Sequence, residues 1–207
     1  LLFHAADARL GAKNYAEAIR LFRDVHRRWP AGEMADDALH LATEAALLAG
    51  DPGTAAELDA LFRKEFPESG LRLPQDLLAG RMLLAEGDRL SAVDAPEGDA
   101  QAKTAYEQAV QAFTRVQEQS AIDQTKSLAR LQLARAWDRL GDHEQALTTL
   151  EPLVQAVGRP GAPDEARTAL AMQSTALLSL KRYDEALEAA TTYLRRPTNG
   201  PERAEAL

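Results

Sequence analysis

Residues 128–157 read LARLQLARAWDRLGDHEQALTTLEPLVQAV. Leu128, Leu131, Trp137 and Leu140 recur at helical spacing, as do Leu147, Leu150, Val154 and Val157 after them. Each set therefore lies on one face of an amphipathic helix. Gly141-Asp142 stands between the two sets. A glycine stops the first helix and an acid opens the second, so the stretch reads as a helical hairpin with a tight turn.

The hairpin is not unique in the chain. Tyr15-Ala16-Glu17-Ala18-Ile19 leads to Trp29-Pro30, and Gly50-Asp51-Pro52 with Ala55 leads to Phe66-Pro67. Tyr106, Ala109, Phe113 and Val116 form a third copy, and Lys181-Arg182-Tyr183-Asp184-Glu185-Ala186-Leu187 opens the last. The marker alanines Ala18, Ala55, Ala109, Ala146 and Ala186 are separated by 37, 54, 37 and 40 residues. If Gly87-Asp88 is the inter-helix turn of the third copy, residues 89–105 are a 17-residue insertion and the common period of 37 returns. The insertion contains Ser91-Ala-Val-Asp-Ala-Pro-Glu-Gly-Asp99, which reads as a solvated loop that extends the preceding helix at its start. A small residue at the marker position lets the two helices of a hairpin approach where they cross. A lone hairpin cannot bury its apolar faces, whereas stacked hairpins can.

Punctuation agrees with this phase. Pro74, Pro163 and Pro201 stand where first helices begin, and Asp164-Glu165 and Glu202 complement the positive end of the helix dipole. Pro30 and Pro67 end second helices. The expected architecture is an all-α, right-handed solenoid of five helix-turn-helix hairpins. Its repeats cover 1–31, 32–69, 70–120, 121–160 and 161–200, and 201–207 begins a sixth pair.

Composition bounds the function. The 207 residues carry 24 Lys and Arg against 32 Asp and Glu, a formal charge of -8, which disfavours a surface for nucleic acid or anionic lipid. Aromatics are 5% of the chain, so Leu and Ala must fill the core and an all-β fold is disfavoured. There is no cysteine, which excludes disulfides, thiolate metal sites and a thiol nucleophile. Apolar runs such as Ala45–Ala49 and Met82–Ala85 are far shorter than the roughly 20 residues of a membrane span. The opening Leu1-Leu2-Phe3-His4 lacks Met and the pattern of a signal peptide, and reads as the start of a fragment of a longer protein.

With its Gly-Asp turn, marker alanine and terminal proline, the repeat resembles the tetratricopeptide repeat (TPR) family. The fourth copy carries the likeness best, through Leu133, Ala134, Trp137, Leu140, Gly141, Asp142, Ala146 and Leu150. The third supplies Gly80, Leu83, Gly87, Asp88, Ala109 and Phe113. Thr43, Asp59, Lys181 and Ala190 depart from the family pattern. The first two copies, from Tyr15 and Ala18 through Ala35-Asp36-Asp37-Ala38 to Phe66-Pro67-Glu68-Ser69, resemble repeats of bacterial envelope proteins. Those are the barrel-assembly lipoprotein and the Tol–Pal-associated protein. That likeness favours a periplasmic or cell-envelope location over the cytoplasm.

Candidate chemistry is sparse. His40 and Glu44 share a helix face, but two ligands are too few for a zinc site, and neither a phosphate loop nor a nucleophile elbow is present. Asp36-Asp37 and Asp184-Glu185 fall at helix starts, and Arg27-Arg28 and Arg195-Arg196 close second helices, as dipole complementarity requires. Trp29, Phe66 and Tyr193 are expected to pack between adjacent hairpins. No cofactor or metal is expected.

In the resembled family the first helices line a concave groove. The groove positions become Phe3, Asp7, His40, Glu44, Leu47, Leu77, Arg81, Leu84, Leu131, Arg135, Asp138, Ala171, Thr175 and Leu178. The Lys and Asn clamp of chaperone-binding members is replaced by Phe3, Asp7, Leu41, Leu77 and Arg81, which disfavours a chaperone adaptor. Arg81 and Arg135 fall at equivalent sites and suit a segment with acidic residues among apolar ones. The expected function is a non-catalytic scaffold for a protein or peptide. The alternatives are a helical regulatory or targeting domain of a larger enzyme, and a self-association module.

Overall fold

A computed structural model describes residues 1–92 and 96–195, apart from the side chain of residue 96. Ten α-helices follow one another: α1 Leu2–Gly11, α2 Tyr15–Arg28, α3 Ala35–Leu48, α4 Pro52–Glu65, α5 Arg72–Ser91, α6 Pro96–Gln119, α7 Asp123–Arg139, α8 His143–Ala156, α9 Glu165–Ser179 and α10 Tyr183–Arg195. No strand occurs among the described residues. The chain divides into two compact units, Leu1–Gln132 and Leu133–Leu207. Pro201 and the expected helix start at 202–207 lie outside the described residues, as does Arg196.

Four connections are closed by one backbone device. Asn14, Asp51, Asp142 and Arg182 donate their N–H groups to the carbonyls of Arg9, Ala46, Trp137 and Leu177, each five residues back. This is the Schellman closure, which needs a left-handed residue just before the donor. Gly50 and Gly141 take that position at φ 72° and 78° without steric cost. In the first and last hairpins Lys13 and Lys181 take it at φ 59° and 61°, so those two turns are strained. The donor residue is also the N-cap of the following helix. Asp51 accepts from the Thr54 N–H at 3.0 Å and Asp142 from the Gln145 N–H at 3.1 Å. That bond, with burial opposing it more weakly, holds the Asp51 carboxyl below its ordinary pKa.

Second helices end differently. Trp29 and Phe66 close α2 and α4 in extended conformations, with φ/ψ of −135°/65° and −125°/55°. Pro30 and Pro67 follow them, and the ring of a proline excludes the helical conformation from the residue before it. Phe66 packs edge-on to His26 and against Phe62, as part of the core. Trp29 does not: it is 53% exposed, a correction to the expectation that it packs between hairpins. The backbone carbonyl of Val25 accepts from its N–H, and its Cβ and backbone carbonyl lie against Gly32. Tyr193 stacks beneath the Arg167 guanidinium at 4.4 Å, a contact within the last hairpin.

In the first unit α1 pairs with α2, α3 with α4 and α5 with α6, while α3 also packs on α1, α2 and α5, and α4 on α5. Phe22, Leu39, Leu58 and Phe62 form the centre of its core among Ala18, Ala38, Ala42, Ala45, Ala46 and Ala55. In the second unit α9 packs on α8 and α10. All five marker alanines are buried.

The third hairpin corrects two expectations. Gly87 and Asp88 form no turn: α5 continues through them to Ser91. Nor is the stretch 91–99 a loop throughout: Ser91 still belongs to α5, as the extension of the preceding helix implies, but residues 96–99 already begin α6, in which Ala102 and Ala105 are buried. Pro96 at the first position and Glu97 and Asp99 in the first turn are helix-start chemistry, not loop chemistry. Helices α5 and α6 have 20 and 24 residues, against 14 for α3 and α4. Two glycine seats lock them together. A methyl on Gly87 would run into the Tyr106 ring, and one on Gly80 would lie 2.5 Å from the Phe113 ring. Both glycines stand seven apart, and so do both rings, so the two contacts fix one antiparallel register. The Tyr106 hydroxyl completes it by donating to Asp88 at 2.9 Å.

Candidate functional site

The first-helix face of the first unit is built from α1, α3 and α5. Asp7 is exposed there, and Glu44, Leu77 and Arg81 are half-buried. His40 is also half-buried, and its Nδ1–H donates to Gln75 Oε1 at 2.8 Å. Gln75 is itself fully buried, and its amide donates to Asp59 at 2.9 Å and to Thr43 at 3.4 Å. Those two donations fix the orientation of the amide and leave its oxygen for the imidazole. Asp59 in turn accepts from Arg63 at 2.8 Å, and Arg63 reaches Asp76 at 2.8 Å. Burial works against the Arg63 charge, but its bonds to the two aspartates outweigh burial and raise its pKa.

This network gives a physical reason for two departures from the repeat pattern. Thr43 and Asp59 stand where the pattern has other residues because they hold Gln75 between α3, α4 and α5. Gln75 was not legible as a key residue, since a glutamine on a helix carries no periodic signal. Beside the network, burial and the neighbouring Asp36 carboxylate raise the Asp37 carboxyl above its ordinary pKa, with His40 pulling the other way. Asp36 is tied to α5 through Ser69, which donates to it at 2.6 Å and accepts from the Leu71 N–H at 3.0 Å.

Three of the expected groove residues serve mainly as core. Phe3 meets Phe22 edge-on at 5.5 Å, Leu84 is 5% exposed and Leu131 is 7% exposed. Leu47 packs partly on the first core. Leu84 and Leu131 are therefore consumed by helix packing, because the first-helix face and the inter-helix contact share positions one turn apart. Leu178 is the opposite case and stands 53% exposed.

In the second unit the expected residues converge. Arg135 and Asp138 from α7 and Ala171 and Thr175 from α9 line one pocket of about 210 Å³, with Arg139 and Met172 beside them and Ala146 and Leu150 at its base. His143 donates from Nδ1 to Asp138 at 2.9 Å and so holds that carboxylate at the pocket. Arg139 and Met172 were missed in the sequence, although each lies one turn or one residue from a groove position. Arg81 belongs to the first unit and Arg135 to the second. The pocket offers guanidinium groups, one carboxylate, a thioether and small apolar side chains, which is recognition chemistry for a side chain or short segment. Among the described residues no cluster of three His, Asp or Glu is placed to hold a metal ion, and no helix is long and apolar enough to cross a membrane.

Comparison with known proteins agrees with the geometry. The tetratricopeptide repeat model matches residues 1–31 and 128–156. No curated protein matches the chain. Among solved structures, the chain is similar to a single-residue variant of the nearly identical TPR-like repeats from a kinesin light chain candidate of Podosopora anserina. The TM-score is 0.67 at 17% identity, over 94% of this chain and 92% of that one. It is also similar to MamA, with a TM-score of 0.51 at 18% identity over 92% of each chain. The fold is all-α and TPR-like.

Proposed function

We propose that this chain is a protein-interaction scaffold that binds partner segments on the first-helix faces of its units and performs no chemistry on them. The observation that carries the reading is the α7–α9 pocket, where four residues that the family resemblance puts on the groove line one cavity. In the first unit His40, Glu44, Leu77 and Arg81 form the corresponding surface, with His40 oriented by buried Gln75. Guanidinium groups among apolar side chains suit a segment with acidic residues spaced between apolar ones. A cell-envelope setting is supported by the likeness of the first two copies and is tested by fractionating the source cells.

The test is a peptide-display selection on the whole chain, followed by titration of the selected peptides. Acidic and apolar residues are expected to dominate the selected set. Arg81→Glu with Arg135→Glu is expected to weaken binding by about tenfold, ~1.4 kcal/mol, with a larger loss at low salt. Unchanged affinity at low ionic strength would remove the groove from the recognition surface.

A further inference from the structure

The α7–α9 pocket combines a wide apolar wall with a single hydrogen-bond acceptor that is held in place. Ala134, Ala146, Ala171 and Ala176 with Leu150 and Met172 form the apolar part of a lining that encloses about 210 Å³. A cavity of roughly 150 Å³ already holds a benzene ring, so this one has room for a ring that carries a further group. The Met172 thioether suits the same occupant, since sulfur makes favourable contacts with aromatic rings.

The acceptor is Asp138. Its Oδ1 takes the bond from His143 Nδ1 at 2.9 Å, across the turn that joins α7 to α8. Among the described residues its Oδ2 has no partner. An ionised acceptor fixed in this way makes a strong bond to a donor that reaches it. Charge narrows the choice of donor. Arg135 and Arg139 line the same pocket, so an ammonium or guanidinium group would meet like charge there, and a carboxylate would meet Asp138. A serine or threonine hydroxyl is neutral but would leave the apolar wall bare. A phenol satisfies both conditions, with a flat apolar body and a neutral O–H at its tip.

We infer that this pocket seats a tyrosine side chain of the partner segment, with the ring on the alanines and Met172 and the hydroxyl donating to Asp138 Oδ2. The inference rests on the groove reading for the source of the tyrosine and adds to it the residue that anchors the segment. A single aromatic side chain in a fitted pocket is where interface energy concentrates. His143 acts as a positioning residue, since it touches Asp138 and is not itself in the lining.

The side-chain analogue 4-methylphenol tests this on the whole chain, with toluene as the same ring without the hydroxyl. The chain has three methionines, Met34, Met82 and Met172, so methyl-labelled methionine gives three signals in a nuclear magnetic resonance spectrum, and Met172→Leu identifies the one at the pocket. Affinities are read from that signal alone. 4-Methylphenol, titrated through about 1 mM, should move it, and toluene should bind about tenfold more weakly because it forfeits a hydrogen bond to a charged acceptor. Asp138→Ala should abolish the difference between the two probes. Ala171→Leu, at a half-buried lining position, should abolish the binding of both, and each variant should keep the helical circular dichroism spectrum. A Met172 signal that does not move overturns the inference, as does equal affinity for the two probes or a preference for the phenol that survives Asp138→Ala. These results need no peptide, so they are separate from the test of the groove. Selected peptides that lack tyrosine yet depend on Arg81 and Arg135 would leave the groove reading standing and overturn this one.

Discussion

Replacing Gly80 by alanine tests the register of the third hairpin directly. The added methyl would sit 2.5, 2.7 and 2.8 Å from three carbons of the Phe113 ring. Carbon atoms in good contact stand about 3.5 to 4.0 Å apart, so each overlap is roughly 1 Å. Phe113 is fully buried and its ring has no open space to enter. Either α5 and α6 part or the ring leaves its rotamer, and overpacking of this kind costs about 1 to 3 kcal/mol. Alanine also gains about 1 kcal/mol of helix propensity over glycine, which works the other way. Gly11, at the end of α1 with nothing within 4 Å of its would-be methyl, serves as the control for that gain. The difference between Gly80→Ala and Gly11→Ala isolates the steric part and should be about 1 to 3 kcal/mol. Urea unfolding followed by far-UV circular dichroism measures it, provided the slopes of the transitions agree. Phe113→Leu in the Gly80→Ala background should recover about 1 kcal/mol relative to the sum of the single changes. If Gly80→Ala raises the urea midpoint as Gly11→Ala does, the ring does not rest on the glycine and the register is wrong.

Other consequences can be checked on the same protein. Lys181→Gly should stabilise by about 0.5 to 1 kcal/mol in urea unfolding, since relief of left-handed strain exceeds the entropy glycine adds to the unfolded chain, and Gly141→Lys should lose a similar amount. Asp142→Ala should cost about 1 kcal/mol through the lost cap bond, whereas Asp164→Ala, at an N-cap without a side-chain bond, should stay within a few tenths by the same measurement. The raised pKa of Asp37 means that its ionised form works against folding, a cost absent at low pH that appears as the pH rises through the folded value. Asp37→Asn should therefore gain on the wild type between acid and neutral pH, and parallel stability curves would refute the assignment.

The all-helical fold, the marker alanines and most of the hairpin ends were legible in the sequence because they rest on local physics. Period, turn chemistry and the effect of proline on its neighbour act within a few residues, and they repeat. Gly50-Asp51 and Gly141-Asp142 announced Schellman turns for that reason. Gly87-Asp88 carried the same letters and meant something else. Its role was decided by Tyr106, 19 residues away, whose ring needs the space a side chain would fill. The same holds at the groove. Arg135, Asp138, Ala171 and Thr175, groove positions in the resembled family, line one pocket, but the sequence could not tell that Leu84 and Leu131 are spent on packing. Nor could it find Gln75, whose partners come from two other helices. A helix's periodicity says which face is apolar; only the neighbouring helices decide which part of that face is covered, and with what.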